Sequence, residues 1–159
     1  VEKYEALSYT WGQPGFNHQI ICDDKQLPIT QNLFEALRQL RKGGERVLWI
    51  DAICINQSDD DEKSAQIPYM RNIYKLADRV VIWLGTADAD AIAAFEWIDR
   101  AAGSVVKKSE EELNRARGFP PFKGAGSEKW EPVLKFFSRA WFGRVWVVQE
   151  CAMAKEAVV

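Results

Sequence analysis

Apolar positions follow two rhythms along this chain: short continuous runs, and longer stretches repeating every three to four residues. Ala6 to Trp11 reads as a first strand, closed by Gly12 and the Pro14-Gly15 turn. Ile20-Ile21-Cys22 and Gln26-Leu27-Pro28-Ile29, separated by Asp23-Asp24-Lys25, predict a small hairpin. Thr30 stands where an N-cap belongs for a helix over 31–42, with Leu33, Ala36, Leu37 and Leu40 on one face. Gly43-Gly44 ends it. The apolar run from Val47 to Ile55 predicts a strand buried on both faces.

Asp59 and Glu62 are spaced like a capping box, and Ile67, Met70, Tyr74 and Ala77 fit a helical face with Pro68 in its first turn. Val80 to Gly85 is a further buried strand, and Ile92, Phe95, Ile98 and Ala102 mark the next helix. Residues 107–117 read as a solvated polar helix, and residues 118–126, with their Gly and Pro, as a loop. Trp130, Val133, Leu134 and Phe137 predict another amphipathic helix. Arg144 to Met153 follows as a helix, and Ala157-Val158-Val159 as a last strand. Strands alternating with helices predict an α/β domain on a parallel sheet, its candidate site at the ends of the strands.

Bulk properties narrow the function. The 159 residues suit one domain, and 47% apolar content with a net charge of −2 argues against disorder. With 21 basic and 23 acidic residues, binding of nucleic acid through bulk charge is not expected. No apolar run is long enough to span a membrane, and the N-terminus lacks a signal-peptide profile. The chain begins at Val1 rather than Met, so it is expected to be a module of a longer protein. Cys22, Cys54 and Cys151 are odd in number and form no CxxC pair, which disfavours a disulfide framework or zinc site and favours a reducing, cytoplasmic setting. The one His, His18, lies near no nucleophile motif and reads as a loop or strand-start residue. No glycine-rich nucleotide motif is present.

Three segments are too particular for generic packing: Tyr4 to Gly12; Leu48 to Gln57 with Glu62, Lys63 and Gln66; and Trp141-Phe142-Gly143-Arg144-Val145-Trp146-Val147-Val148-Gln149-Glu150. In this order, with Ile73-Tyr74-x-x-Ala77 and Val81 to Gly85 between them, they closely resemble the heterokaryon-incompatibility (HET) domain of filamentous fungi. The resemblance spans essentially the whole chain. It implies a role in programmed cell death after non-self recognition, beside sensor or repeat domains in a larger protein, with self-association as a switch. Loops 12–17 and 56–66 are the candidate contacts.

A more distant similarity links HET domains to TIR domains, some of which cleave NAD at its nicotinamide–ribose bond. It implies a TIR-like, flavodoxin-like parallel sheet flanked by helices, with the N-terminal hairpin and a helical insertion near 100–140. Trp146-x-x-x-Glu150 has the spacing of the segment that carries the catalytic Glu in NAD-cleaving TIR domains. The resemblance therefore puts Glu150 beside the ribose, where a carboxylate stabilises an oxocarbenium-like transition state. Glu96, on the helix after Val81–Leu84, is the rival and lacks the upstream Trp.

Tyr9 or Trp11 would stack on nicotinamide. Arg144 or Arg139 would hold the pyrophosphate. Gly12, Asp51, Asn56, Gln57 and Trp146 complete the substrate-binding set. NAD is then a substrate, and neither metal nor cofactor is required.

Each residue also has a structural reading. Glu150 would pair with Arg144 or Lys155, Trp11 and Trp146 would be core, and Asp51 would be a buried acid with backbone partners. Asn56 and Gln57 would shape a loop, and Glu62 would cap a helix. Trp49, Trp83, Trp97 and Trp130 are assigned to packing, and Trp11, Trp141 and Trp146 to an aromatic wall around one carboxylate. A Glu150 carboxylate opening into a cleft beside Trp11 favours an NAD-cleaving enzyme. One buried in a salt bridge weakens that reading; the alternative is a non-enzymatic module that oligomerises and recruits partners, which toxicity surviving Glu150→Ala but lost on surface-loop changes would favour.

Overall fold

Four strands, β1 (Glu5–Ser8), β4 (Leu48–Trp49), β5 (Arg79–Ile82) and β6 (Ala157–Val158), pair in parallel in the order β4-β1-β5-β6. In chain order they run second, first, third, fourth, so the sheet reverses direction of growth between β1 and β5, as in flavodoxin-like sheets. The computed structural model describes residues 3–106 and 131–159, with 101–106 described by backbone alone. The expected polar helix at 107–117, the loop at 118–126 and Trp130 lie outside the described residues. Among the described residues no helix is long and apolar enough to cross a membrane.

The chain divides into two units. Residues 1–86 and 143–159 form the first, and residues 87–142 the second. In the first, β2 (His18–Cys22) and β3 (Lys25–Ile29) form a separate antiparallel hairpin. Its turn is Asp23-Asp24, both at positive φ (48° and 60°), the backbone of a two-residue primed turn that matches strand twist. His18 starts β2, stacks on Phe34 and bonds Gln31, as a strand-start residue would.

α1 (Gln31–Leu40) begins where Thr30 Oγ1 accepts the Leu33 N–H. After a short 3-10 turn the chain leaves at Gly44, whose φ of +95° favours glycine. Leu33 and Ala36 on α1 pack with Leu7, Tyr9, Ile29, Ile50 and Val81 into the core of this unit.

The run 47–55 is not one buried strand. β4 is an edge strand of two residues, and the chain turns into α2 (Asp51–Cys54) at Ile50, whose carbonyl accepts the Cys54 N–H at 2.8 Å. Asp51, the first residue of that turn, accepts the Ala52 N–H through its Oδ1 at 2.7 Å, which satisfies one of the N–H groups a helix start leaves without an intrahelical partner. The apolar run thus divides between an edge strand and a one-turn helix, and Ala52 and Ile53 still pack against the core.

α3 (Asp60–Gln66) is capped by Asp59, which accepts from Asp61 and Glu62 N–H. Glu62 does not close a capping box; it accepts the Asn56 N–H instead. Pro68 sits in a 3-10 turn that separates α3 from α4 (Met70–Leu76). Tyr74 and Ala77 are buried as expected, but Ile67 is exposed. α7 (Trp146–Met153) packs against α4.

In the second unit α5 (Ala89–Val106) packs on α6 (Glu131–Phe137). Ala91 and Ala94 are buried while Ile92 and Phe95 are exposed, so the inner face is rotated from the expected one. The Phe95 ring meets Phe136 edge-on at 5.1 Å. On α6, Val133 and Phe136 are buried and Leu134 and Phe137 exposed, again a shifted face.

Candidate functional site

A strand-end site should form where the sheet reverses, between β1 and β5. In this chain that gap is bridged. Asn32 on α1 donates through Nδ2 to the Thr10 carbonyl at 2.6 Å and accepts the Trp83 indole N–H at 2.9 Å. One amide therefore ties the extension of β1 to that of β5. The candidate residues then fall into two neighbouring groups.

The first group centres on Glu150, 1% exposed on α7. Its Oε1 accepts Arg144 Nη2 at 3.1 Å, and its Oε2 accepts Arg144 Nη1 at 3.4 Å and the Ser8 hydroxyl. Burial pushes the Glu150 carboxyl above the usual carboxylate range, and the Ser8 bond and Arg144 pull against it. Tyr9, the next residue after β1, is 2% exposed. Its phenol is pushed up by burial first and by the Asp51 carboxylate second. Tyr74 donates from α4 to the Leu7 carbonyl and is pushed up by burial, then by Glu150 and Asp51. The group is a buried, fully engaged polar cluster joining α7, β1 and α4. Among the described residues no buried side-chain nitrogen or oxygen lacks a hydrogen-bond partner.

The second group surrounds a cavity of about 560 Å³, in the range of small-molecule sites. Trp11 stands on one side, 40% exposed, with its indole N–H held by Asp51 Oδ2 at 3.1 Å. Asn56 and Gln57 stand on another. Gln57 Nε2 donates to the Asp51 carbonyl at 2.9 Å, and Asn56 Oδ1 accepts from the Ser58 N–H and hydroxyl. Ile29, Thr30 and Leu33 from the core also line it.

Of the expected site residues, Trp11, Asn56 and Gln57 meet at this cavity, and Asp51 orients two of them without lining it. Glu150, Arg144, Tyr9, Gly12 and Trp146 do not line it. Gly12 has a φ of +82°, and a Cβ there would lie 3.2 Å from the Asn32 Cβ. Trp146 is half exposed on α7. Arg139 belongs to the second unit, where it pairs with Asp88 at 2.7 Å, and Trp141 is buried in that unit against Phe142. The rival Glu96 is exposed on α5.

Residues that sequence reasoning did not single out are Ser8, Asn32 and Phe16, the last an exposed ring lining the cavity. Ser8 carried a signal, as the polar residue inside the Ala6–Tyr9 strand run. Asn32 and Phe16 carried none.

A family model described as heterokaryon incompatibility protein (HET) matches residues 4–150. The chain is 30% identical over 190 aligned positions to heterokaryon incompatibility protein 6, OR allele, of Neurospora crassa. The match covers 98% of this chain and 28% of that relative, so the chain spans little more than a quarter of the relative's length. No solved structure matches the chain.

Proposed function

Because the chain belongs to the heterokaryon incompatibility (HET) family, we propose that it is the cell-death effector module of a longer fungal protein that acts in the cytoplasm in non-self recognition. Its signal passes through self-association and recruitment of partners rather than through chemistry at Glu150. The observation that carries this reading is the state of that carboxylate. At 1% exposure, with both oxygens engaged by Arg144 and Ser8, it is a structural lock between α7 and β1. A carboxylate so held cannot reach a ribose carbon. The loop 12–17, and the segment 56–66 that runs from a short loop into α3, are largely exposed beside the cavity, which supports them as contacts.

The test is cell death on expression in a fungal host. Glu150→Gln keeps the side-chain shape and removes the charge. At matched abundance it is expected to kill as wild type does, while Phe16→Asp and Ser58→Arg in the exposed loops abolish killing. A folded Glu150→Gln protein that no longer kills overturns the reading.

A second reading is NAD cleavage on assembly, with a TIR-like sheet order. It is favoured by the cavity that joins Trp11, Asn56 and Gln57 next to the strand ends. It requires assembly to free Glu150 from Arg144 and Ser8, and it is tested by nicotinamide release.

A further inference from the structure

The sheet ends at β4, whose far edge pairs with no strand among the described residues. The Glu5 N–H donates to the Val47 carbonyl at 2.9 Å, and Glu5 stands opposite Leu48 in the parallel register. In such a ladder alternate residues direct their polar groups to opposite sides, so the Leu48 N–H and carbonyl face the open edge. An edge of this kind is a template for another strand. Beside it is a second cavity, of about 500 Å³, at the end of the sheet where the strands begin and away from Trp11. Leu37 and Leu40 of α1 and Leu48 of β4 form its apolar floor, each partly buried and packed on the core. Arg41 and Arg46 stand at its rim, and Arg46 is bound to Glu5. Arg38, Arg41 and Lys42 are exposed, and among the described residues none of the three pairs with a carboxylate. The whole chain has a net charge of −2, yet residues 38–46 hold four basic side chains against one acid. Arg38, in the last turn of α1, suits the negative end of that helix, but Arg41 and Lys42 lie beyond it.

We propose that this edge and groove take an extended, acidic segment of a partner polypeptide that carries a large aliphatic side chain. The segment adds as a strand beside β4, where the Leu48 N–H donates to its backbone and the Leu48 carbonyl accepts from it. The side chain directly opposite Leu48 shares its face of the sheet and enters the groove against Leu37 and Leu40. Carboxylates flanking that side chain meet Arg41 and Lys42. β4 is two residues long and offers few ladder bonds, so the groove and the charges supply the selectivity. The site deepens the recruitment reading above and rests on it for its biological role.

The test uses the 159-residue chain and three synthetic peptides with blocked ends. These are DEVLVDE, its basic counterpart KKVLVKK, and DESSSDE, which keeps the charge and lacks the apolar centre. Affinity is read by titration calorimetry, and the site by ¹H–¹⁵N spectra. DEVLVDE should bind at least about tenfold more tightly than either other peptide, shift the Leu48 amide signal and slow its exchange with deuterium. Arg41→Glu combined with Lys42→Glu, both at exposed positions, should weaken DEVLVDE at least about tenfold and turn the preference toward KKVLVKK. Methylating the DEVLVDE backbone nitrogen at the central leucine, or at the valine after it, removes one N–H. Ladder geometry predicts that one of these changes abolishes binding and the other leaves it. Equal binding of the three peptides, no binding by any, shifts that spare Leu48, or equal effects of the two methyl positions overturns the inference. A chain that binds DEVLVDE at this edge yet does not kill overturns the recruitment reading alone. One that kills yet binds no acidic peptide overturns this inference alone.

Discussion

Arg144→Ala removes both nitrogens that reach Glu150 and leaves the carboxylate with Ser8 as its remaining partner in this pair of contacts. Breaking a buried ion pair from one side costs about 3–5 kcal/mol, because the other charge stays behind unpaired. The Glu150 side chain is 2% exposed and that of Arg144 is 23% exposed, so water enters where the guanidinium was. The loss is placed at the low end, about 3 kcal/mol at about pH 8. The pH dependence then has a definite sign. The folded Glu150 carboxyl is already raised above its unfolded value of 4.5, chiefly by burial. A raised acid contributes stability that is present below the unfolded pKa and is lost as pH rises through the folded one.

Arg144 opposes that rise, so its removal lifts the folded pKa further and enlarges the loss on the alkaline side. In acid the protonated carboxyl needs no cation, and the deficit falls to about 1 kcal/mol near pH 5. Urea unfolding of both proteins at the two pH values measures it. In a Glu150→Gln background the same Arg144→Ala change should cost under about 1 kcal/mol, since no buried charge is stranded. A loss that is equal at both pH values, or that persists undiminished in the Gln background, refutes the account of this cluster.

At the other end of β1, Glu5 shows the opposite behaviour. Its hydrogen bonds to Arg46, at 2.5 and 3.0 Å, hold its carboxyl below the usual range, so its stabilisation is present above about pH 4.5 and lost as pH falls through the lowered pKa. Glu5→Gln should remove about 0.5–1 kcal/mol near neutrality and flatten the acid limb of the stability curve, read by urea unfolding from about pH 6 to pH 3. Gly12→Ala puts a Cβ at positive φ and close to Asn32; it should cost more than about 1 kcal/mol and lower the melting temperature in calorimetry. Asp59→Ala removes the acceptor for two N–H groups of α3 and should cost about 1 kcal/mol, whereas Asp59→Asn should cost less, both by thermal unfolding.

Local chemistry in this chain was legible where one residue sufficed to decide it. Thr30 at the α1 start, Gly44 after it and Asp23-Asp24 in the hairpin each act within a few positions. The parallel sheet followed from runs separated by helical stretches. The 47–55 run misled because apolar continuity does not distinguish a buried strand from an edge strand continued by a helical turn. Asp51 decided it, and its role depends on Trp11 and Gln57 from other segments. The faces of α5 and α6 differ from the expected ones, with Ala91 and Ala94 buried rather than Ile92 and Phe95, because periodicity ranks positions by apolar size and does not fix which stripe of a helix turns inward.

The site was legible in part for the same reason. Trp11, Asn56 and Gln57 meet as the motif segments suggested, but Ser8 and Glu150, far apart in sequence, meet only through the fold. Periodicity carries no trace of that pairing. Of the aromatic residues expected around Glu150, Trp11 is bound to Asp51 at the cavity, Trp146 is half exposed on α7, and Trp141 packs against Phe142 within the second unit.

The most direct measurement is nicotinamide release from NAD by the chain fused to an oligomerising scaffold, with Glu150→Gln in parallel. A Glu150 held as a lock predicts no release above background from either assembled protein, while the wild-type fusion still kills fungal cells. Release that depends on assembly and is abolished in a folded Glu150→Gln protein would contradict it.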